Sequence, residues 1–130
     1  MLTYIIDDDN VSLFLTEQIL KLEGLITEVR SFTSAEAALA CLLRHLTAPP
    51  ELILLDLNMD VVDGWGFLAE LEPYQADLQG CCIYFLTSSL APADIAKARD
   101  YTCVAGIIHK PLGEADVVAI QARLRVIAAN

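Results

Sequence analysis

Basic residues are scarce in this chain. Eight Lys and Arg stand against 18 Asp and Glu, a formal charge of −10. A surface so acidic repels nucleic acid and anionic membrane unless a local basic patch overrides the field, and the sequence contains no such patch. Long apolar runs are also missing. The chain is 55% hydrophobic, yet stretches such as "LILL" and "CCIYFL" have strand length, far short of the roughly 18 residues of a membrane-spanning helix. No basic segment precedes an apolar stretch at the N-terminus, which argues against a signal peptide and makes the cytoplasm the expected compartment. The four cysteines (Cys41, Cys81, Cys82 and Cys103) show no CxxC spacing. In a reducing compartment they read as small buried or half-buried thiols, and a zinc site would need His45 or His109 to converge on them.

What remains is a sequence that alternates short β-rich runs with longer helical ones, five times over. "LTYII" (2–6) reads as a strand. A helix over 10–23 follows, with Phe14, Ile19 and Leu22 as its apolar face and Gly24 as its stop. "ITEVRSF" (26–32) alternates like a half-exposed edge strand. Thr33 and Glu36 form a capping box for a second helix that runs to about Leu46, before Pro49-Pro50. "LILLD" (52–56) and "CIYFLT" (82–87) are uninterrupted apolar runs of the kind buried on both faces of a parallel sheet. Between them Asp63-Gly64 opens a helix over 65–71, and Trp65 reads as packing rather than recognition. Pro92 suits a first helical position ahead of "ADIAKARD". "GIIHK" (106–110) is a fifth strand. A last helix over 113–128 carries Val117, Ile120, Leu124 and Ile127 on one face.

This is a (βα)5 pattern in an expected single domain, residues 1–130, and no output domain is expected to follow. Alternation implies a parallel sheet with helices on both faces, a doubly wound flavodoxin-like α/β fold. With the alternating strand at an edge, the order 2-1-3-4-5 follows, and the ligand crevice opens between strands 1 and 3 at their carboxyl ends. Those strands end in Asp7-Asp8 and Asp56, strand 4 in Thr87, and strand 5 in Lys110. Three carboxylates within a few Å repel by about 4 kcal/mol per pair at surface-like dielectric, and a divalent cation removes that cost. A few carboxylates with room for water suit Mg²⁺ or Mn²⁺. A carboxylate beside such an ion can attack phosphorus, with the Lys110 ammonium and Thr87 hydroxyl left to hold the phosphoryl oxygens. Asp9, one step on, suits the cap of the first helix.

The pieces "IIDDD", "LILLDLNMDVVDGW", "YFLTSS" and "HKPL" lie in order over nearly the whole chain, which here resembles the response-regulator receiver domains of two-component signalling. The resemblance implies that Asp56 is the phosphoacceptor, that Asp8 holds Mg²⁺ directly and Asp7 through water, and that Asp56 and the Asn58 backbone carbonyl join the metal. It also implies that Thr87 is the switch hydroxyl, Lys110 the ion-pair partner of the phosphoryl group, and the Lys110–Pro111 bond cis. Asp63 and Gly64 are then structural. Two positions depart from the family pattern: Asp60 replaces the usual proline, loosening the metal loop. Ile107 stands at the switch position where many receivers have Tyr or Phe, so Thr87 and the fourth helix carry more of the coupling.

Such a domain is not an enzyme beyond its own phosphorylation and dephosphorylation. Its expected donors are a histidine kinase or a histidine phosphotransfer protein. Its expected output is contact with a downstream protein, through the face of helix 4, strand 5 and helix 5 with Lys97, Arg99 and Arg123. It is expected to be a monomer or weak dimer. Two other readings compete. "DDDNV" also resembles the first motif of haloacid-dehalogenase-type phosphatases, with Asp7 as nucleophile and Asp9 as general acid, although Asp56 then has no role. The third reading is a receiver-like binding module that is never phosphorylated.

Overall fold

The computed structural model describes residues 2–24, 28–59, 62–88 and 91–129. The apolar runs become the strands β1 (Leu2–Ile6), β2 (Glu28–Phe32), β3 (Leu52–Asp56), β4 (Cys82–Thr87) and β5 (Val104–His109). They pair in parallel in the order β2-β1-β3-β4-β5. Every residue of β3 and β4 is buried, as continuous apolar sequence requires of strands covered on both sides. β2 is the half-exposed edge. Its first described residue is Glu28, and residues 26 and 27 of the predicted strand lie outside the described residues.

The helices are α1 (Asn10–Leu22), α2 (Ala35–Arg44), α3 (Gly64–Leu71), α4 (Pro92–Ala98) and α5 (Glu114–Ala129). They divide between the two faces of the sheet. Tyr4, Ile6, Ile53, Leu55, Ile83 and Phe85 point into a core shared with α2, α3 and α4. Ile5, Leu52, Leu54, Cys82, Tyr84 and Leu86 point the other way, against α1 and α5. Val117 and Ile120 of α5 are fully covered, with Leu124 and Ile127 packed at the margin, as the periodicity predicts.

Three local expectations are corrected. The buried face of α1 is Leu13, Thr16 and Leu20, whereas Phe14 and Leu22 are 58% and 79% exposed. A helix with apolar residues all round offers two registers, and the sheet selects the one that seats Leu20. The α2 cap is Ser34, whose hydroxyl accepts the Ala37 N–H at 3.1 Å, not Thr33 one residue earlier. Finally, the chain does not leave helical structure at Leu71, where the predicted third helix ends: α3 runs directly into a 3-10 helix over Glu72–Leu78.

The ends of the elements follow the sequence more closely. Asp9 caps α1 by accepting the N–H groups of Val11 and Ser12. Gly24, at φ +65°, turns the chain out of it. Asp63 caps α3 through the Gly66 N–H at 2.9 Å. At Gly64 a Cβ would stand 2.7 Å from Phe85 Cε1 and 3.1 Å from the Asp56 carbonyl oxygen, so only glycine lets α3 start this close to β3 and β4. The Lys110–Pro111 bond is cis.

Candidate functional site

Ile6 is in register with Leu55, which brings Asp7 beside Asp56 where the two strands end. The backbone ladder continues one step past the strands. Asp7 N–H donates to Phe32 O, Leu57 N–H to Leu86 O, and Lys110 N–H to Thr87 O at 2.8 Å. The predicted residues therefore leave the sheet from hydrogen-bonded positions.

Their side chains converge. One carboxylate oxygen from each of Asp7, Asp8 and Asp56 lies within 4.8 Å of the others, and this is the sole group of three or more such ligands among the described residues. Asp7 and Asp56 are 1% and 6% exposed, whereas Asp8 faces solvent. Lys110 Nζ donates to Asp7 Oδ2 at 2.6 Å and lies 3.6 Å from Asp56 Oδ2, so the lysine's shorter contact is with Asp7. Asp7 Oδ1 accepts the Asp9 N–H, and Asp56 Oδ1 accepts the Asn58 N–H at 3.2 Å. The Asn58 side-chain amide donates to Thr87 Oγ1 at 3.3 Å, which ties the end of β4 to the loop after β3.

The two buried acids are not equivalent. Burial pushes the Asp56 carboxyl up to about 6, and the Asp7 carboxylate adds to this against the pull of Lys110. Burial acts the same way on Asp7, but hydrogen bonds from Lys110, Ser12 and the Asp9 N–H outweigh it and hold Asp7 below the usual carboxylate range. Asp7 thus carries the charge that Lys110 balances, and Asp56 is the carboxyl whose charge is less well compensated.

The sequence pattern of response regulator receiver domains matches residues 3–122. The chain belongs to this family. Among solved structures similar to it is a two-component response regulator from Cytophaga hutchinsonii, 27% identical over 96% of each chain with a TM-score of 0.90. A response regulator receiver protein from Dyadobacter fermentans is 28% identical over 96% of this chain and 98% of its own, with a TM-score of 0.86. A CheY-like receiver domain protein from Methanospirillum hungatei shares the fold at 22% identity and a TM-score of 0.77, covering 98% of this chain and 96% of its own. No curated protein is a significant sequence match. Receiver domains are the phosphoacceptors of two-component signalling and bind Mg²⁺ at an acidic pocket; this chain has an acidic cluster of Asp7, Asp8 and Asp56.

The other predicted residues take varied places. Ile107 is half-buried in β5 beside Phe85, lining a groove of about 310 Å³ between α4 and β5 together with Ile95 and Arg99. Lys97 Nζ sits 4.5 Å above the Trp65 ring, which itself packs on Phe85 and Tyr101, so Trp65 is a packing residue. Arg123 faces a different cavity from Arg99. Asp60 lies outside the described residues. The Asp9 carboxylate is engaged by the α1 cap rather than by the acidic cluster. The cysteines are free, three buried and Cys103 half-buried. Sequence reasoning missed the neighbourhood of Cys41, whose sulfur lies 3.4 Å from the Tyr4 hydroxyl and 3.7 Å from Arg30 Nη1. His45 Nδ1 is 3.8 Å from the same sulfur, with no third ligand of a zinc site among the described residues.

Proposed function

We propose that Asp56 accepts a phosphoryl group from a phosphohistidine of a histidine kinase or phosphotransfer protein, with Mg²⁺ or Mn²⁺ held by Asp7, Asp8, Asp56 and the Asn58 carbonyl. The observation that carries this reading is the convergence of three carboxylates at the carboxyl ends of β1 and β3, two of them, Asp7 and Asp56, on one lysine. The donor set fits the ion. It is all oxygen, one member faces solvent, and two buried acids share a single ammonium, so the cluster has negative charge left uncompensated. A bound divalent ion supplies charge neutralisation for the phosphoryl oxygens and lowers the repulsion among the acids.

The chain's own residues do the rest. An oxygen of the ionised Asp56 attacks phosphorus in line with the leaving imidazole nitrogen. The P–N bond breaks as the P–O bond forms, the leaving nitrogen keeps the electron pair, and the imidazole departs neutral with a proton on its other nitrogen. Lys110, already between Asp7 and Asp56, shifts its donors to the phosphoryl oxygens, because the esterified carboxyl no longer carries charge. Thr87 exchanges the Asn58 amide for a phosphoryl oxygen, and this rearranges the loop joining β4 to α4. Ile107 fills the adjoining space between α4 and β5 with an aliphatic side chain, so the output signal passes mainly through the Thr87 loop and α4. The output is a contact with another protein at the α4, β5 and α5 face, and the net charge of −10 disfavours direct nucleic-acid binding.

Acetyl phosphate treatment followed by mass spectrometry tests the assignment. The label is expected on Asp56, requires Mg²⁺, and is abolished in Asp56→Asn. A label on Asp7 instead would support the phosphatase chemistry, and no label on any aspartate would support a silent binding module.

A further inference from the structure

A cavity of the receiver lies at the end of the sheet away from the acidic cluster. It occupies about 520 Å³, a volume within the range of small-molecule sites. We propose that it is a second site, which takes a small amphipathic monocarboxylate with its apolar body inside and its head on Arg123.

Three features of the molecule build this site, and the phosphoacceptor chemistry uses none of them. The 3-10 helix Glu72–Leu78, appended to α3, forms one wall and contributes Leu78 to the lining. Its other apolar surfaces are Leu68 and Leu71 of α3, Ile83 of β4 and Ile127 of α5. The β4–β5 ladder is irregular at the same place. Ile83 pairs with Val104 and Tyr84 with Gly106, so Ala105 is an extra residue without a partner in β4, and Ala105 lines the cavity. A bulge of this kind bends one strand away from its neighbour and re-aims its side chains.

Arg123 provides the chemistry of the head group. It lines the cavity and makes no ion pair or hydrogen bond with any described residue. Burial raises the acid groups of Cys82, which lines the cavity, and of Tyr84, and the nearby Arg123 charge partly lowers both. A planar guanidinium matches a carboxylate with two parallel hydrogen bonds. Glu72 is exposed on the wall formed by the 3-10 helix, and its repulsion selects a singly charged head over a phosphate. Between them the lining combines these aliphatic side chains and the Cys81, Cys82 and Cys103 thiols, small polarisable hydrophobes, with the polar Gln75, Gln79 and Thr102.

Decanoate and decanol, titrated into the isotope-labelled protein and followed by NMR, separate the possible outcomes. Decanoate is expected to shift the resonances of Leu71, Ile83, Ala105 and Ile127, at millimolar concentration or below, and to bind more tightly than decanol. Arg123→Gln should weaken decanoate by about tenfold, the loss expected for one charge-assisted hydrogen-bonded contact, and leave decanol unchanged. Arg123→Lys should restore part of the difference. Ala105→Leu, which fills the cavity without touching Arg123, should weaken both ligands. Equal binding of the two ligands, unchanged decanoate affinity in Arg123→Gln, or shifts confined to another surface would each overturn the proposal. Acetyl phosphate labelling of Asp56, measured on the same variants, is expected to be unaffected.

Discussion

Replacing Lys110 by methionine keeps most of the aliphatic stem and removes one charge. In the wild-type protein Nζ lies 2.6 Å from Asp7 Oδ2 and 3.6 Å from Asp56 Oδ2, and the lysine side chain is only 18% exposed. At an effective dielectric of about 20, a unit charge pair at these separations is worth roughly 5–6 kcal/mol. Water entry and side-chain rearrangement recover part of that loss. Measured costs of breaking a buried pair run at roughly 3–5 kcal/mol, because a carboxylate is left uncompensated. We therefore expect Lys110→Met to lose about 3–5 kcal/mol in urea unfolding at pH 8 with a chelator present. Two further measurements locate the cause. Saturating Mg²⁺ should recover more than half of the deficit, since a divalent ion answers the same carboxylates. Asp7→Asn combined with Lys110→Met should cost clearly less than the sum of the single variants. A loss below about 1 kcal/mol with additive singles would put this ion pair among solvated surface contacts, and would remove the electrostatic basis for a metal at the cluster.

Gly64→Ala places a methyl 2.7 Å from Phe85 Cε1 and 3.1 Å from the Asp56 carbonyl. It should lower stability by about 1–3 kcal/mol, whereas Gly80→Ala, with nothing within 4 Å of the added methyl, should be neutral or stabilising by up to about 1 kcal/mol. Chemical unfolding of both variants checks the pair. Ser34→Ala should cost about 1 kcal/mol through the lost cap, while Thr33→Ala should cost a few tenths at most, as thermal melts will show. Burial, with help from Cys82 and Cys103, pushes the Cys81 thiol up to about 12 from an ordinary 9.0. The unfolded chain thus releases this proton first. Its contribution is complete below pH 9 and declines at ~1.4 kcal/mol per pH unit as pH rises towards 12. Cys81→Ala should flatten the fall in unfolding free energy between pH 8 and 10, and an unchanged slope would refute the assignment.

The strand order and the site were legible because both depend on short-range pattern. "LILLD" and "CIYFLT" are apolar up to their last residue, which fits central strands, and a parallel sheet then brings Asp7, Asp56, Thr87 and Lys110 to one edge. The pairing of Lys110 with Asp7 was not legible, because it depends on side-chain reach across three strands rather than on spacing. The α1 face was misread because Leu13, Phe14 and Leu15 are consecutive, and only the fit of Leu20 against the sheet decides which of them turns inward. Thr33 and Ser34 are adjacent hydroxyls, either of which can start a helix. The choice depends on the angle at which β2 delivers the chain. The 3-10 helix was hidden by Pro73 and Gly80, which punctuate like a loop, and the cavity behind it depends on a bulge that no local pattern announces.

The amides of Asp7, Leu57 and Lys110 bond to the carbonyls of neighbouring strands or of the residue that ends one. Fraying of a helix or opening of a surface loop leaves those bonds intact, so they yield only when the sheet itself comes apart. In hydrogen exchange the three amides should therefore rank with the slowest in the molecule, although each adjoins a loop. The proposed reacting atoms and the part of the chain last to unfold are thus one residue apart. A protease that nicks an exposed loop would leave the geometry of the acids standing.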